Sequence, residues 1–286
     1  MLLYGRDFDT QRPTGRFCNG RITVDFIALK LGLPFVPAYS AQGGSVQEMI
    51  HGLNYASARA GIISTIGSEL TQQIIHISLT QQIQQVSDTF QQLIIGLGNE
   101  AATDLISKSV FYLSIGSNDY IHYYLRNVSR VLPSGFNDVL ATTVKQQLKN
   151  LYNADVTRMV VMGMAPIGCA PRYLWKYSTK DGECVKEIND MVMEFNFALR
   201  FMVEELIHEL PDYAITFCDT FKASMDIMKN RQQYGCGLGS PPNVKWREDL
   251  SELGLEKSKS IGLTSELGLE KSKSFDFGFG LVMDLD

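Results

Sequence analysis

Three short apolar runs, each ended by a turn-forming residue, constrain the fold of this chain more than any other feature. Residues 109–115 stop at Gly116-Ser117-Asn118-Asp119, Arg158–Met162 stops at Gly163-Met164-Ala165-Pro166, and 213–218 stops at Asp219. All three are rich in β-branched and aromatic residues, as expected of strands covered on both faces. Helical patterns separate them, so the order predicts βα units, a mainly parallel sheet and an α/β fold.

The helices are legible from their spacing. Residues 22–31 put Val24, Ile27, Ala28 and Leu31 on one stripe, closed by Gly32 and Pro34. Ser78 caps a second helix, with Leu79, Ile83, Val86, Phe90, Leu93 and Leu97 on the core side and its glutamines on the wet side. A third helix is expected over 136–152. The longest is expected over 184–210, where Pro211 ends it. These stripes are read as core.

Composition narrows the functional classes. The chain has 286 residues, 45% of them hydrophobic, and a formal charge of −5. That length can bury a substantial core without metal or disulfide. The acidic balance argues against a nucleic-acid partner held through phosphates. No run approaches the roughly 20 apolar residues of a membrane-spanning helix. The start, Met1 to Asp9, has no signal-peptide pattern, so the chain as written is expected in the cytoplasm. At the other end, residues 251–260 recur letter for letter as 265–274. Two short copies cannot build a repeat core. They are read as a tail duplication or as translated non-coding sequence. The expected division is a domain over 1–239 and a poorly ordered tail over 240–286.

In open α/β sheets ligands bind beyond the carboxyl ends of the strands. Gly116-Ser117-Asn118-Asp119 therefore comes first. Asn118 offers an amide donor suited to a developing oxyanion. The same residues would also make an ordinary turn, with side chains bonded to nearby backbone.

Several blocks taken together carry a family resemblance. They are Pro13-Thr14-Gly15-Arg16-Phe17-Cys18-Asn19-Gly20-Arg21, Asn54-Tyr55-Ala56-Ser57-Ala58-Arg59-Ala60-Gly61, Gly116-Ser117-Asn118-Asp119-Tyr120, Ala165-Pro166-Ile167-Gly168-Cys169 and Phe195-Asn196. In order and spacing, roughly residues 4–239 resemble the plant GDSL esterase/lipase family of SGNH hydrolases. The resemblance implies a three-layer α/β/α sandwich and serine-dependent hydrolysis of carboxylic esters, acyl lipids or small esters. It implies no metal and no organic cofactor. It matches Gly61 and Asn118 to the oxyanion hole, and it implies secretion.

Other parts of the family pattern are missing. No Gly-Asp-Ser-Leu segment occurs, and no Asp-x-x-His lies near the C-terminus, where the family carries it. The four histidines are His51, His76, His122 and His208. The nucleophile, base and acid of a triad therefore have no match, and neither does the family's first strand. Both ends read as truncated, and no turnover is expected. The alternatives are a non-catalytic ester- or lipid-binding module and a misassembled gene model of a longer active esterase.

No substitute triad emerges. His122 lies near Asn118 but reads first as part of an amphipathic segment, and His208 as a last-turn cation favoured by the helix dipole. Ser114 and Ser117 have no nucleophile elbow, and no histidine or cysteine spacing suits zinc. Five cysteines, at 18, 169, 184, 218 and 236, leave at least one unpaired in a monomer. The resemblance implies pairing of Cys169 with Cys184. Asn127-Val128-Ser129 is a glycosylation sequon that matters only on the secretory route. Absence of the family's first strand is expected to expose sheet edges over 109–115 and 158–162 and to lower solubility.

Overall fold

The computed structural model describes residues 4–63, 77–125, 133–177 and 182–234, apart from the side chains of 122–124, 133 and 134. The sequon, His76, Cys236 and the 240–286 tail lie outside those residues, as does the side chain of His122.

Three parallel strands form the sheet in the order β1 (Val110–Ser114), β2 (Arg158–Met162), β3 (Ala214–Cys218). Val110 pairs with Arg158 and Arg158 with Ala214, and Ser114, Met162 and Cys218 end the strands level with one another. The three turn segments therefore leave the sheet at a common carboxyl end. Side chains alternate between two apolar layers, as the pleat requires. Phe111, Leu113, Met159, Val161 and Ile215 enter the larger one, whereas Val110, Tyr112 and Val160 enter the smaller.

Helix α1 (Thr23–Leu31) covers the smaller layer with Val24 and Ala28, supported by Ile27 and Leu31. It ends at Gly32, whose φ of 71° lets its N–H reach back to Ala28 O and Leu29 O. After the short helix α2 (Val46–Met49), three longer helices dominate the other face: α3 (Leu79–Leu97), α5 (Pro133–Tyr152) and α7 (Lys186–Glu209). Between them come α4 (Asn99–Lys108) and α6 (Pro171–Lys176), and α8 (Thr220–Lys229) follows β3. Helices thus lie on both sides of a parallel sheet, the three-layer α/β/α arrangement expected. Helices α5 and α7 run in the same direction, since Lys145 pairs with Glu205 and Lys149 with Glu209. Each leads into a parallel strand, so this follows from two successive crossovers on one face.

The expected elements differ from the observed ones mainly at their ends. Helix α3 is capped by Ser78, which accepts from Gln81 N while Gln81 Oε1 accepts from Ser78 N. Two of its residues depart from the expected faces. Gln82 is fully buried and its Nε2 donates to Ile77 O, so it belongs to the core side. Leu97 sits at the fraying end and is half-exposed. Gly98, at φ 86°, breaks the run there and starts the unforeseen α4. Strand β1 pairs with a strand on one side only among the described residues, yet its residues Val110–Leu113 are buried because both faces are packed.

Candidate functional site

Beyond the carboxyl end of β1, Gly116 adopts φ 126°, and a Cβ there would press on Met164 Sδ at 3.2 Å and the Phe195 ring at 3.3 Å. Only glycine suits both the conformation and the space. The chain then enters a π-helical turn over Asp119–Tyr124, with Asn118 at its start. Such turns often lie at functional sites.

The side chains of this turn bond to distant chain. Asn118 Nδ2 donates to Ala60 O at 2.9 Å, across 58 residues. Asp119 Oδ2 accepts from Ile62 N at 2.9 Å, and Oδ1 accepts from Ile63 N at 3.0 Å. Bonds of this reach replace the local turn bonding open to Ser-Asn-Asp. They fasten residues 60–63 against the β1 loop, which brings the segments of Gly61 and Asn118 together. From the other side, Leu79 N donates to Gly61 O at 3.2 Å and ties the segment to the start of α3. An added Cβ on Gly61 would fall against the Asp119 carboxylate, so a side chain has no room.

Two donors remain unused among the described residues. No described residue accepts from the Gly61 N–H, and the Asn118 amide has a second N–H beyond the one given to Ala60. Both belong to groups whose positions are held by the bonds above. Asn118 is 5% exposed, so the donors work in a largely desolvated setting. Burial pushes the Asp119 carboxyl up to about 7, against the two backbone N–H groups that favour its charged form.

The neighbouring loops are fixed by buried amides. Asn196 Oδ1 accepts from Met164 N at 2.7 Å while its Nδ2 donates to Met164 O at 2.9 Å. Two turns earlier on α7, Asn189 Oδ1 accepts from Gly168 N at 2.9 Å. Thr220 Oγ1 donates to Gly163 O and links the β3 loop to the β2 loop. The same region holds a disulfide, Cys169–Cys184, the pairing implied by the resemblance. Cys18 is a free thiol, and both it and Cys218 are half-buried. His51 and His208 lie in other parts of the structure, at the end of the α2 turn and in the last turn of α7. Ser117 is buried in the β1 loop. Among the described residues no three His, Cys, Asp or Glu side chains group as a metal site would require, and no helix is long and apolar enough to cross a membrane.

Sequence reasoning assigned no task to Asp119, Asn189 or Asn196. The only local signal for Asp119 was its place beside Asn118.

A parallel three-stranded sheet with helices on both faces and its loops gathered beyond the strands' carboxyl ends defines an α/β protein. Comparison with known proteins agrees. The model of the GDSL-like lipase/acylhydrolase family matches residues 3–255. The chain is 36% identical over 249 residues to GDSL esterase/lipase At1g71691 of Arabidopsis thaliana, covering 82% of this chain and 63% of that protein. It is 33% identical over 254 residues to GDSL esterase/lipase At5g08460 of the same plant, covering 83% and 65%. GDSL esterase/lipase 7, also from Arabidopsis, is 36% identical over 241 residues, covering 81% and 65%. The chain belongs to the GDSL-like lipase/acylhydrolase family, and it spans less than two thirds of these relatives' lengths.

Proposed function

We propose that the Gly61 N–H and the Asn118 amide form the oxyanion-binding pair of a carboxylic-ester site, and that the 286-residue polypeptide binds such esters without hydrolysing them. The substrate class is that of the family, acyl lipids or small esters. The observation that supports the reading is the fastening of residues 60–63 to the β1 loop by Asn118 and Asp119, which leaves the Gly61 N–H and one Asn118 N–H unused among the described residues. A carbonyl oxygen placed there gains hydrogen bonds that strengthen as negative charge develops. Turnover further requires a nucleophile with a base and an orienting carboxylate. The sequence holds no Gly-Asp-Ser-Leu, and its Asp-x-x-His spacing occurs at Asp119 to His122, where the Asp119 carboxylate is bound by Ile62 N and Ile63 N, and not near the C-terminus.

The test combines turnover with binding. The purified polypeptide should hydrolyse p-nitrophenyl butyrate no faster than its Asn118→Ala variant and should resist fluorophosphonate labelling. A non-hydrolysable ketone analogue of that ester should bind, with affinity falling about tenfold in Asn118→Ala, the equivalent of one hydrogen bond. Hydrolysis well above the variant, or serine labelling, would overturn the inactive reading. Equal ketone binding by both proteins would overturn the role of Asn118.

A second reading is an active esterase of which this polypeptide is one part. The 63% and 65% coverage of the first two relatives favours it, and transcript sequencing beyond both ends tests it. Under either reading the Cys169–Cys184 disulfide suits a secreted protein, because such bonds persist in oxidising compartments.

A further inference from the structure

We propose that the groove between α5 and α7 docks a cationic amphipathic helix of a partner protein. The groove measures about 930 Å³ and is separate from the Gly61–Asn118 site, on which this inference does not depend. Helix α7 has two apolar faces. Val192, Phe195, Leu199 and Met202 pack into the core. Met193, Phe197 and Phe201 form a second stripe at four-residue spacing, 45%, 73% and 55% exposed, and it lines the groove. A solvent-facing helix side is ordinarily polar, and a contiguous exposed aromatic stripe marks an interaction surface.

A buried polar group in the groove lining points independently to an occupant. Asn137 is 3% exposed; its Oδ1 accepts from the Tyr120 hydroxyl, and its Nδ2 has no partner. Buried donors are nearly always paired, so this one suits an acceptor oxygen brought by a ligand. A side-chain oxygen of Asn, Gln or Ser on a docked helix would serve.

Charge selects the kind of partner. Asp138 and Glu194 stand exposed on the rim and make no ion pair among the described residues; Asp190 and Glu205 also line the groove, paired with Lys186 and Lys145. Among the described residues the one cation lining the groove, Lys145, is held by Glu205 at 3.0 Å and Glu209 at 2.7 Å. An acidic rim around an apolar floor repels nucleic acid and anionic lipid and attracts Lys or Arg. The shape suits a helix. Two parallel helices leave a furrow for the ridge of a third, and α7 from Asp190 to Glu205 offers about 22 Å at ~1.5 Å per residue, roughly four turns.

The probe is a fluorescein-labelled fourteen-residue helical peptide of Leu and Lys with one Gln, its leucines at i, i+3, i+4 and i+7, titrated with the full chain. Saturable anisotropy is expected. Affinity should fall tenfold or more in Phe197→Asp/Phe201→Asp and in Asp138→Lys/Glu194→Lys, and a Leu/Glu peptide should not bind. All four substituted positions are exposed, and circular dichroism checks that the variants remain folded. Four results would overturn the proposal. These are no binding of the Leu/Lys peptide, equal binding by wild type and variants, equal binding of the Leu/Glu peptide, and capture of phosphatidylglycerol vesicles in preference to peptide through the same phenylalanines. A dimer in sedimentation that Phe197→Asp dissolves would also overturn it, by making a second copy the occupant.

Discussion

A Cβ placed on Gly61 would lie 2.9 Å from Oδ1 of Asp119 and 3.1 Å from its Oδ2. The missing side chain of one residue makes the space for the carboxylate of the other, and that carboxylate holds Ile62 and Ile63 in place. Gly61→Ala should therefore push Asp119 away or shift residues 60–63. Overpacking of this kind costs about 1–3 kcal/mol. Urea denaturation of wild type and variant should show that difference, with weaker binding of the ketone analogue. An unchanged midpoint would mean that Asp119 yields freely and clamps nothing.

Asp119 should also make stability depend on pH. Burial lifts its carboxyl in the folded chain to about 7, whereas an unfolded chain returns it to about 4. Between these values the folded state binds more protons than the unfolded one, so stability falls as pH rises. The contribution is fully present below about 4 and is lost as pH passes through about 7. Asp119→Asn lacks this titration and turns an amide donor toward a backbone N–H, so it should be destabilised overall. Melting temperatures from pH 4 to 8 should show the advantage of wild type over the variant shrinking toward neutral pH. A difference constant across that range would count against the raised carboxyl.

The parts of the fold legible in the sequence were those encoded by periodicity. Tyr112 and Val160 belong to runs with no polar alternation, and the structure buries those strands on both faces. Ser78 announced its cap because its partner, Gln81, lies within one turn. Gln82 was misplaced, because its residue type suggests solvent while its helix phase faces the core, where Ile77 O accepts its amide. The site was only half legible. Asn118 attracted notice for its strand-end position, but its tie to Ala60 spans 58 residues, and no local pattern reports such a bond. The clamp by Asp119 was hidden for the same reason. Folding has to bring those segments together before the local chemistry of either residue has meaning.

Arg16 and Asp25 form a second relationship that spacing did not reveal. Asp25 is fully buried; it accepts from Arg16 Nε at 2.8 Å, from Arg16 Nη2 at 2.6 Å and from Ile22 N at 2.8 Å. The guanidinium lies 4.7 Å from the Phe8 ring centroid, so it joins the amino-terminal segment to the start of α1. Arg16→Met keeps much of the apolar stem but strands a buried carboxylate, at a cost of about 3–5 kcal/mol. The double variant Arg16→Met/Asp25→Leu removes the stranded charge and should recover part of the loss. Chemical denaturation of the three proteins measures both. A double variant as unstable as Arg16→Met would show that packing, not the buried charge, dominates.

The Cys169–Cys184 bridge closes a loop with a sequence separation of 15 that contains α6. Backbone geometry already brings its ends together, since Val185 N donates to Gly168 O at 2.9 Å and Asn189 Nδ2 lies 3.4 Å from Cys169 Sγ. Reduction should therefore leave the native loop in place and act chiefly on the unfolded chain, whose freedom the bridge restricts. A loop of this size corresponds to about 3 kcal/mol in the chain-entropy account. Cys184→Ser should lower the unfolding free energy by about that amount with far-ultraviolet dichroism unchanged. Dithiothreitol should bring wild type to the level of the variant and leave the variant where it is, because Cys169–Cys184 is the one disulfide among the described residues. A further loss on reducing Cys184→Ser would assign the stabilisation to some other disulfide.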